Sequence, residues 1–197
     1  MRTEILIYNG IDELDALGPW EVLAEAGFDV ALVTHPATDR IATARGVIVV
    51  PHRQLSDRPE LLVVPGGGWT RRPPKGAWAE VQRGVLPRVI AERHAAGARI
   101  ASVCTGAFLL AAGGLLDGRP AITHWKDVDD LEAMGIRVIR DARVVDDGDI
   151  ITAGGVTSGL DLALWIVEQE KGREAAADVE AEIEHRRDER IWRAGAT

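Results

Sequence analysis

The sequence predicts an α/β fold, a three-layer sandwich around a mostly parallel sheet. Three observations predict it. Short apolar runs alternate along the chain with helix-forming stretches. Several runs end in glycine-bearing turns, at Asn9-Gly10 and at Pro65-Gly66-Gly67-Gly68. One run, Arg99 to Val103, passes through Cys104 into the helix-forming stretch Ala107 to Ala112, closed by Gly113 and Gly114. Strand, tight turn and helix in that order make a nucleophile elbow.

The elements follow in order. Glu4 to Tyr8 reads as a first strand. Asp12 to Ala26 is helical in pattern, with Gly27 as its stop, and Pro19 predicts a break or a fresh first turn near Gly18. Phe28 to Val33 is a second strand. Ile41 to Thr43 and Val47 to Val50 pair as a hairpin around Arg45-Gly46. Leu61 to Val64 is a buried strand. A long helix spans about Trp78 to Ala96, with Pro87 awkwardly inside it. Beyond the elbow, Ala121 to Thr123 is strand-like and Val128 to Met134 helical. Arg137 to Ile139, Arg143 to Val145 and Ile150 to Thr152 are short strands. Leu160 to Gln169 is an apolar helix, and Glu174 to Arg187 a polar closing helix. No repeat, low-complexity tract or linker interrupts residues 1–197, which are read as one domain.

Composition narrows the function classes. With 46% hydrophobic and 27% charged residues, the chain has the make-up of a soluble globular protein. A formal net charge of −8 argues against nucleic acid as a partner. No apolar stretch reaches the length of a membrane span, so no membrane partner is expected. Met1-Arg-Thr-Glu leads straight into a strand, and a single cysteine excludes an internal disulfide. Both predict a cytoplasmic protein.

Cys104 is therefore the residue to explain. At a helix N-terminus its thiol would meet unpaired N–H groups and the positive end of the helix dipole, which favour the thiolate. The plainer reading is a small buried residue in a core turn. Cys104, Gly66-Gly67-Gly68 and Asn9-Gly10 all fall at strand carboxyl ends, where such folds collect ligands, so they are candidates for one shared site. The glycine run, with the N–H of Thr105, could form an oxyanion hole, or it is a plain strand-to-helix turn. Asp15 lies in an otherwise apolar helical stretch. It is either a helix-start carboxylate in water or a buried acid with a partner or a raised pKa. Asp12, Glu13 and Glu21 read as solvated. His124 could act as a base or hydrogen-bond donor, or simply pack between strand and helix. Thr157 to Asp161 reads as a capped helix start. His35, His52, His94 and His185 show no metal-ligand spacing, and no metal is expected.

Four segments together resemble the ThiJ/PfpI superfamily, whose fold is flavodoxin-like and class I glutamine amidotransferase-like. They are Leu14 to Val22, Leu61 to Gly67, Ser102 to Leu116 with Thr123-His124-Trp125, and Ile151 to Ala163. The resemblance runs from the start of the chain to about Glu170. Within the superfamily the pattern is most similar to isocyanide hydratases, and it is also similar to the sensor domain of certain AraC-type regulators. The resemblance implies that Cys104 is the nucleophile, Asp15 the acid beside it, Thr105 the residue that follows, and Gly67 a backbone donor. It reverses the reading of Asp15 as exposed. Gly66, Gly68, Trp69 and His124 form the expected substrate-binding set.

The implied reaction is hydration of an isocyanide to an N-substituted formamide through a covalent thioimidate on Cys104, with no cofactor. The implied partners are a small electrophilic substrate and a second copy of the chain in a homodimer. Thr105 stands where the protease-like branch has histidine, which argues against a peptidase. The chain ends at Thr197 without room for a helix-turn-helix module, which argues against direct DNA binding. The shorter C-terminus and the bulky, basic loop from Gly68 to Lys75 set this sequence apart from the hydratases. Two competing functions are a cofactor-free glyoxalase or hydrolase on the same cysteine, and a redox sensor that oxidises Cys104 without turnover. Asp15, rather than glutamate, and Thr105, rather than histidine, favour the hydratase.

Overall fold

A computed structural model describes residues 1–195; the last two residues of the predicted 1–197 domain lie outside the described residues. Its central sheet has eight strands: β1 (Arg2–Leu6), β2 (Asp29–Thr34), β3 (Arg53–Gln54), β4 (Leu61–Val64), β5 (Arg99–Val103), β6 (Val144–Asp146), β7 (Ile150–Ala153) and β8 (Ile191–Arg193). Their order is β8-β6-β7-β5-β4-β1-β2-β3. All neighbours run parallel except the antiparallel pair β6 and β7. The mostly parallel sandwich that the sequence predicts is the observed fold.

All four residues of β4 are buried, as expected of a central strand covered on both faces. The helices are α1 (Glu13–Glu25), α2 (Ala77–Arg83), α3 (Val85–Ala95), α4 (Ala107–Ala112), α5 (Val128–Ala133), α6 (Ser158–Lys171) and α7 (Arg173–Glu182). Helix α6 packs against α1 and α7, while α3 packs against α2 and α4. The chain leaves β1 for β2 on one side and later returns to β4 on the other. The carboxyl ends of β1, β4 and β5 thus flank a crevice at the switch point.

Four expectations are corrected. Pro19 does not break α1. Gly18 before it has no Cβ for the proline ring to strike, and the ring packs against Gly159 of α6, where an added Cβ would sit 3.2 Å from Pro19 Cδ. The long helix after β4 instead divides at Gly84, in a left-handed conformation with φ 70°. Pro87 then falls in the first turn of α3, where its missing N–H would have had no partner anyway. The closing helix stops at Glu182, and the chain continues into β8 beside β6. The two-residue strand β3 is the other strand not predicted.

The predicted hairpin is present, with Ile41–Ala42 antiparallel to Ile48–Val49. A second small pair joins Pro120–Ala121 to Arg137–Val138 in parallel. No helix among the described residues is long and apolar enough to cross a membrane.

The start of α4 lies directly on the end of β4. A Cβ on Gly106 would run into the Val64 carbonyl oxygen, a backbone atom that cannot swing aside. Gly106→Ala is expected to destabilise the protein by about 2 to 3 kcal/mol in chemical denaturation. Gly113→Ala, against the Pro87 carbonyl at 2.7 Å, should cost a comparable amount. A neutral Gly106→Ala would mean that β4 and the elbow are not packed this closely.

Candidate active site

The site begins with a backbone that cysteine does not prefer. Val103 ends β5 in an extended conformation, and Cys104 turns to φ 56°, in the left-handed region. A short 3-10 turn, Cys104–Gly106, then feeds α4. The Cys104 N–H donates to the Gly154 carbonyl beyond β7 at 2.9 Å. The Thr123 hydroxyl donates to the Cys104 carbonyl at 2.8 Å. Both backbone groups are thus held, and the residue is 5% exposed.

The acid comes from α1. Asp15 is fully buried and is not the helix-start carboxylate in water that its spacing suggests. Its Oδ2 accepts the Gly66 N–H at 3.0 Å, while its Oδ1 is buried with no hydrogen-bond partner. The Gly66 carbonyl accepts the Asp12 N–H at 2.9 Å, so both backbone groups of Gly66 are gripped by α1 and its cap. The next N–H, of Gly67, donates to Thr105 Oγ1 at 2.8 Å. A Cβ on Gly66 would strike the Thr105 backbone, so only glycine allows this approach.

These bonds revise the expected oxyanion hole. The N–H groups of Gly66 and Gly67 are engaged by Asp15 and Thr105 and are not free donors. The backbone donors that face the thiol are those of Val156 and Thr105. Val156 was not expected in the site. It stands at φ 42°, a conformation that a β-branched residue adopts only where its surroundings force it.

Burial pushes the Asp15 carboxyl up to about 8, with the charge of Asp12 adding to the rise; the Gly66 N–H, the Cys104 thiol and Arg45 oppose it. Burial also pushes the Cys104 thiol well above its ordinary value, and the Asp15 charge adds to this. The Val156 and Thr105 N–H groups act in the direction expected of a helix N-terminus, but desolvation outweighs them. The elbow therefore does not create a free-standing thiolate. Near neutral pH the pair holds both protons; Asp15 gives its proton up first, leaving a carboxylate beside the thiol, and passage of the thiol proton to that carboxylate places a thiolate beside a carboxylic acid. Tyr8, whose hydroxyl donates to the Pro65 carbonyl at 2.6 Å, stays neutral: burial raises its pKa, and Asp15, Glu80 and Cys104 raise it further.

The expected substrate-binding set divides. Trp69 is buried in the interior. Its ring stacks on Phe108 with centroids 3.5 Å apart, and its indole N–H donates to Asp130 at 2.8 Å. Gly68 packs on the Lys75 carbonyl and holds the same loop. Thr70 joins the loop to Asp127 at 2.7 Å, so this segment is a wall anchored to the turn before α5. His124 caps the turn Trp125–Asp127, its Nδ1 accepting the Lys126 N–H at 3.3 Å, and its ring lies against Gly155. The packing role left open for it is thus present. The same ring borders a cavity of about 490 Å³ that Thr123, Gly154, Gly155 and Val156 also line. Two of these residues, Thr123 and Gly154, hydrogen-bond the Cys104 backbone. Asp12, expected in solvent, is 9% exposed and pairs with Arg45.

A model of the DJ-1/PfpI family matches residues 1–169. The chain is 32% identical over 188 residues to an isonitrile hydratase of Pseudomonas putida, covering 94% of this chain and 78% of that one. It is 27% identical to a Parkinson disease protein 7 homolog of Danio rerio, covering 92% and 96%. A crystal structure of a ThiJ/PfpI family protein from Pseudomonas syringae superposes with a TM-score of 0.84 at 29% identity, covering 95% of this chain and 76% of that one.

The buried acid has a consequence for stability. An unfolded aspartate titrates near 4. Between there and about 8 the folded protein holds a proton that the unfolded chain releases. Stability contributed by this group therefore falls as pH rises through that window. Asp15→Asn is expected to gain several °C of Tm relative to wild type between pH 5 and pH 9. A difference that does not change with pH would show that Asp15 titrates normally.

Proposed function

The chain belongs to the DJ-1/PfpI family, and from that premise we propose that it hydrates isocyanides to N-substituted formamides with Cys104 as nucleophile. The observation that carries this reading is the buried acid with one unpartnered oxygen beside a buried thiol. Such a pair suits a substrate that must receive a sulfur and a proton on the same carbon.

With one proton left on the pair it rests on Cys104, and its passage to the Asp15 carboxylate gives a carboxylic acid beside a thiolate. Sulfur attacks the terminal carbon of R–N≡C and forms the C–S bond. Asp15 gives its proton to that carbon, leaving the thioimidate R–N=CH–S–Cys104 and an Asp15 carboxylate. Water adds to the thioimidate carbon, and a proton goes to nitrogen. The C–S bond then breaks to release R–NH–CHO. The water's second proton returns to Asp15, so one water is consumed and the pair is restored. The Val156 and Thr105 N–H groups favour the thiolate at the start and the end. Every group used is a side chain or backbone atom of this chain, and no cofactor enters the scheme.

The same reading includes a cytoplasmic homodimer of a single-domain chain. Leu14 and Leu17 of α1, and Val47, Ile48 and Val50 of the adjoining hairpin, are exposed apolar side chains on neighbouring elements. They offer a surface for a second copy. Light scattering should give twice the 21.3 kDa chain mass. A single-chain mass would remove the dimer from the reading.

The activity is tested by formamide production from a simple aryl isocyanide. Wild type should turn over, Cys104→Ala should lose all turnover, and Asp15→Asn should lose at least about 100-fold. The kcat/KM of wild type should rise with pH around a midpoint near 8, as the pair sheds its first proton. Folded wild type with no turnover, or Cys104→Ala with undiminished turnover, would overturn the hydratase.

A further inference from the structure

Asp15 has a neighbour that the proposed reaction does not use. Asp12 lies one helical turn before it, caps α1 by accepting the Leu14 N–H at 3.2 Å, and, like Asp15, bonds the backbone of Gly66. A second carboxylate here opposes ionisation of the first. Asp12 is not left alone. Arg45 Nη1 lies 2.7 Å from Asp12 Oδ2 and 2.8 Å from Glu13 Oε2. The Arg45 N–H donates to Glu13 Oε1 at 2.9 Å, and Thr43 donates to the same oxygen. The hairpin tip is also pinned by the Ala44 N–H, which donates to the Ile11 carbonyl at 2.8 Å.

We propose that Arg45 is a positioning residue that neutralises Asp12 and thereby governs whether Asp15 keeps its proton. The proposal rests on the Asp15–Cys104 pair of the hydratase reading, but its test needs no isocyanide. The charge runs from solvent inward. The Arg45 side chain is 68% exposed, that of Asp12 is 12% exposed, and Asp15 is fully buried. Each packed element contributes a known group. From α1 there is Asp12, while Glu13 turns toward Arg45. The elbow contributes Cys104, the end of β1 contributes neutral Tyr8, and the glycine turn contributes the Gly66 N–H. From α6, the residues that meet α1 at Gly18 and Pro19 are Leu160 and Gly159, which carry no charge. Arg45 is thus the cation placed to offset Asp12 beside the buried acid. Its exposure means that salt and solvent weaken it, so the effect is modest and tunable.

Cys104 is the only cysteine, so the mass gained on alkylation reports this site alone. The experiment follows the rate of Cys104 alkylation by iodoacetamide against pH. In Arg45→Gln the midpoint should move up by about half a unit to one unit, and the shift should shrink at about 0.5 M salt. Arg45→Lys should restore most of it. Asp12→Asn, which keeps a capping oxygen, should move the midpoint down. In the Asp12→Asn background, Arg45→Gln should add a much smaller upward shift, because the charge it chiefly offset is gone. An unchanged profile in a folded Arg45→Gln protein, or the same shift with Asp12 already removed, would overturn the proposal. Because alkylation is independent of turnover, a protein inactive on isocyanides could still pass this test, and an active one could fail it.

Discussion

A cysteine at φ 56° is about 1 to 3 kcal/mol above its relaxed backbone, and nothing within the residue recovers that cost. The surroundings hold it there. β7 takes its N–H through Gly154, and Thr123 bonds its carbonyl. Gly106 lets the next turn rest on the Val64 carbonyl, so the elbow cannot relax outward without lifting α4 off the sheet. The position of the thiol follows from these three restraints. So does the closeness of Thr105 to the glycine turn, since its hydroxyl can meet Gly67 only while the elbow stays closed.

The same closeness decides the electrostatics. A helix end offers a thiol a modest preference for negative charge, but removing the thiol and a carboxyl from water costs more. Two buried acids with little compensating charge keep their protons. What the site gains is a thiol that stays protonated until the Asp15 carboxylate is free to take its proton. Reactivity then depends on a shared proton instead of a permanently exposed nucleophile. The strained Val156 fits the same logic, since its backbone N–H faces the sulfur where few other donors can reach.

Much of this was legible in the residues. The run from Arg99 to Val103, the small residues around Cys104 and the apolar helix after it specify strand, turn and helix locally, and the elbow forms as read. Asp15 was not legible by spacing, because a carboxylate in the first turn of a helix is ordinary; only the likeness to a family marked it. The bond from Gly66 that buries it crosses 51 positions, and no local pattern carries such a contact. Val156 gave no signal at all, since valine is among the residues least suited to a positive φ. Pro87 misled until Gly84 is seen to start a new helix before it. The strands β3 and β8 escaped because two or three residues show no periodicity, and their pairing partners lie far away in sequence.

Those two short strands have a consequence of another kind. They are the edges of the central sheet. An edge strand offers unpaired backbone to any other extended chain, and long flat edges invite aggregation by strand addition. Here one edge is Arg53–Gln54, both exposed, with Arg53 also bonded inward to the buried Glu4 at 3.1 Å. The other is Ile191–Arg193, preceded by Arg190 and ending in a second arginine. Each edge presents only a few residues of backbone and carries bulky arginine side chains. A sheet with a strongly apolar interior is thereby given borders on which a foreign strand finds little to join.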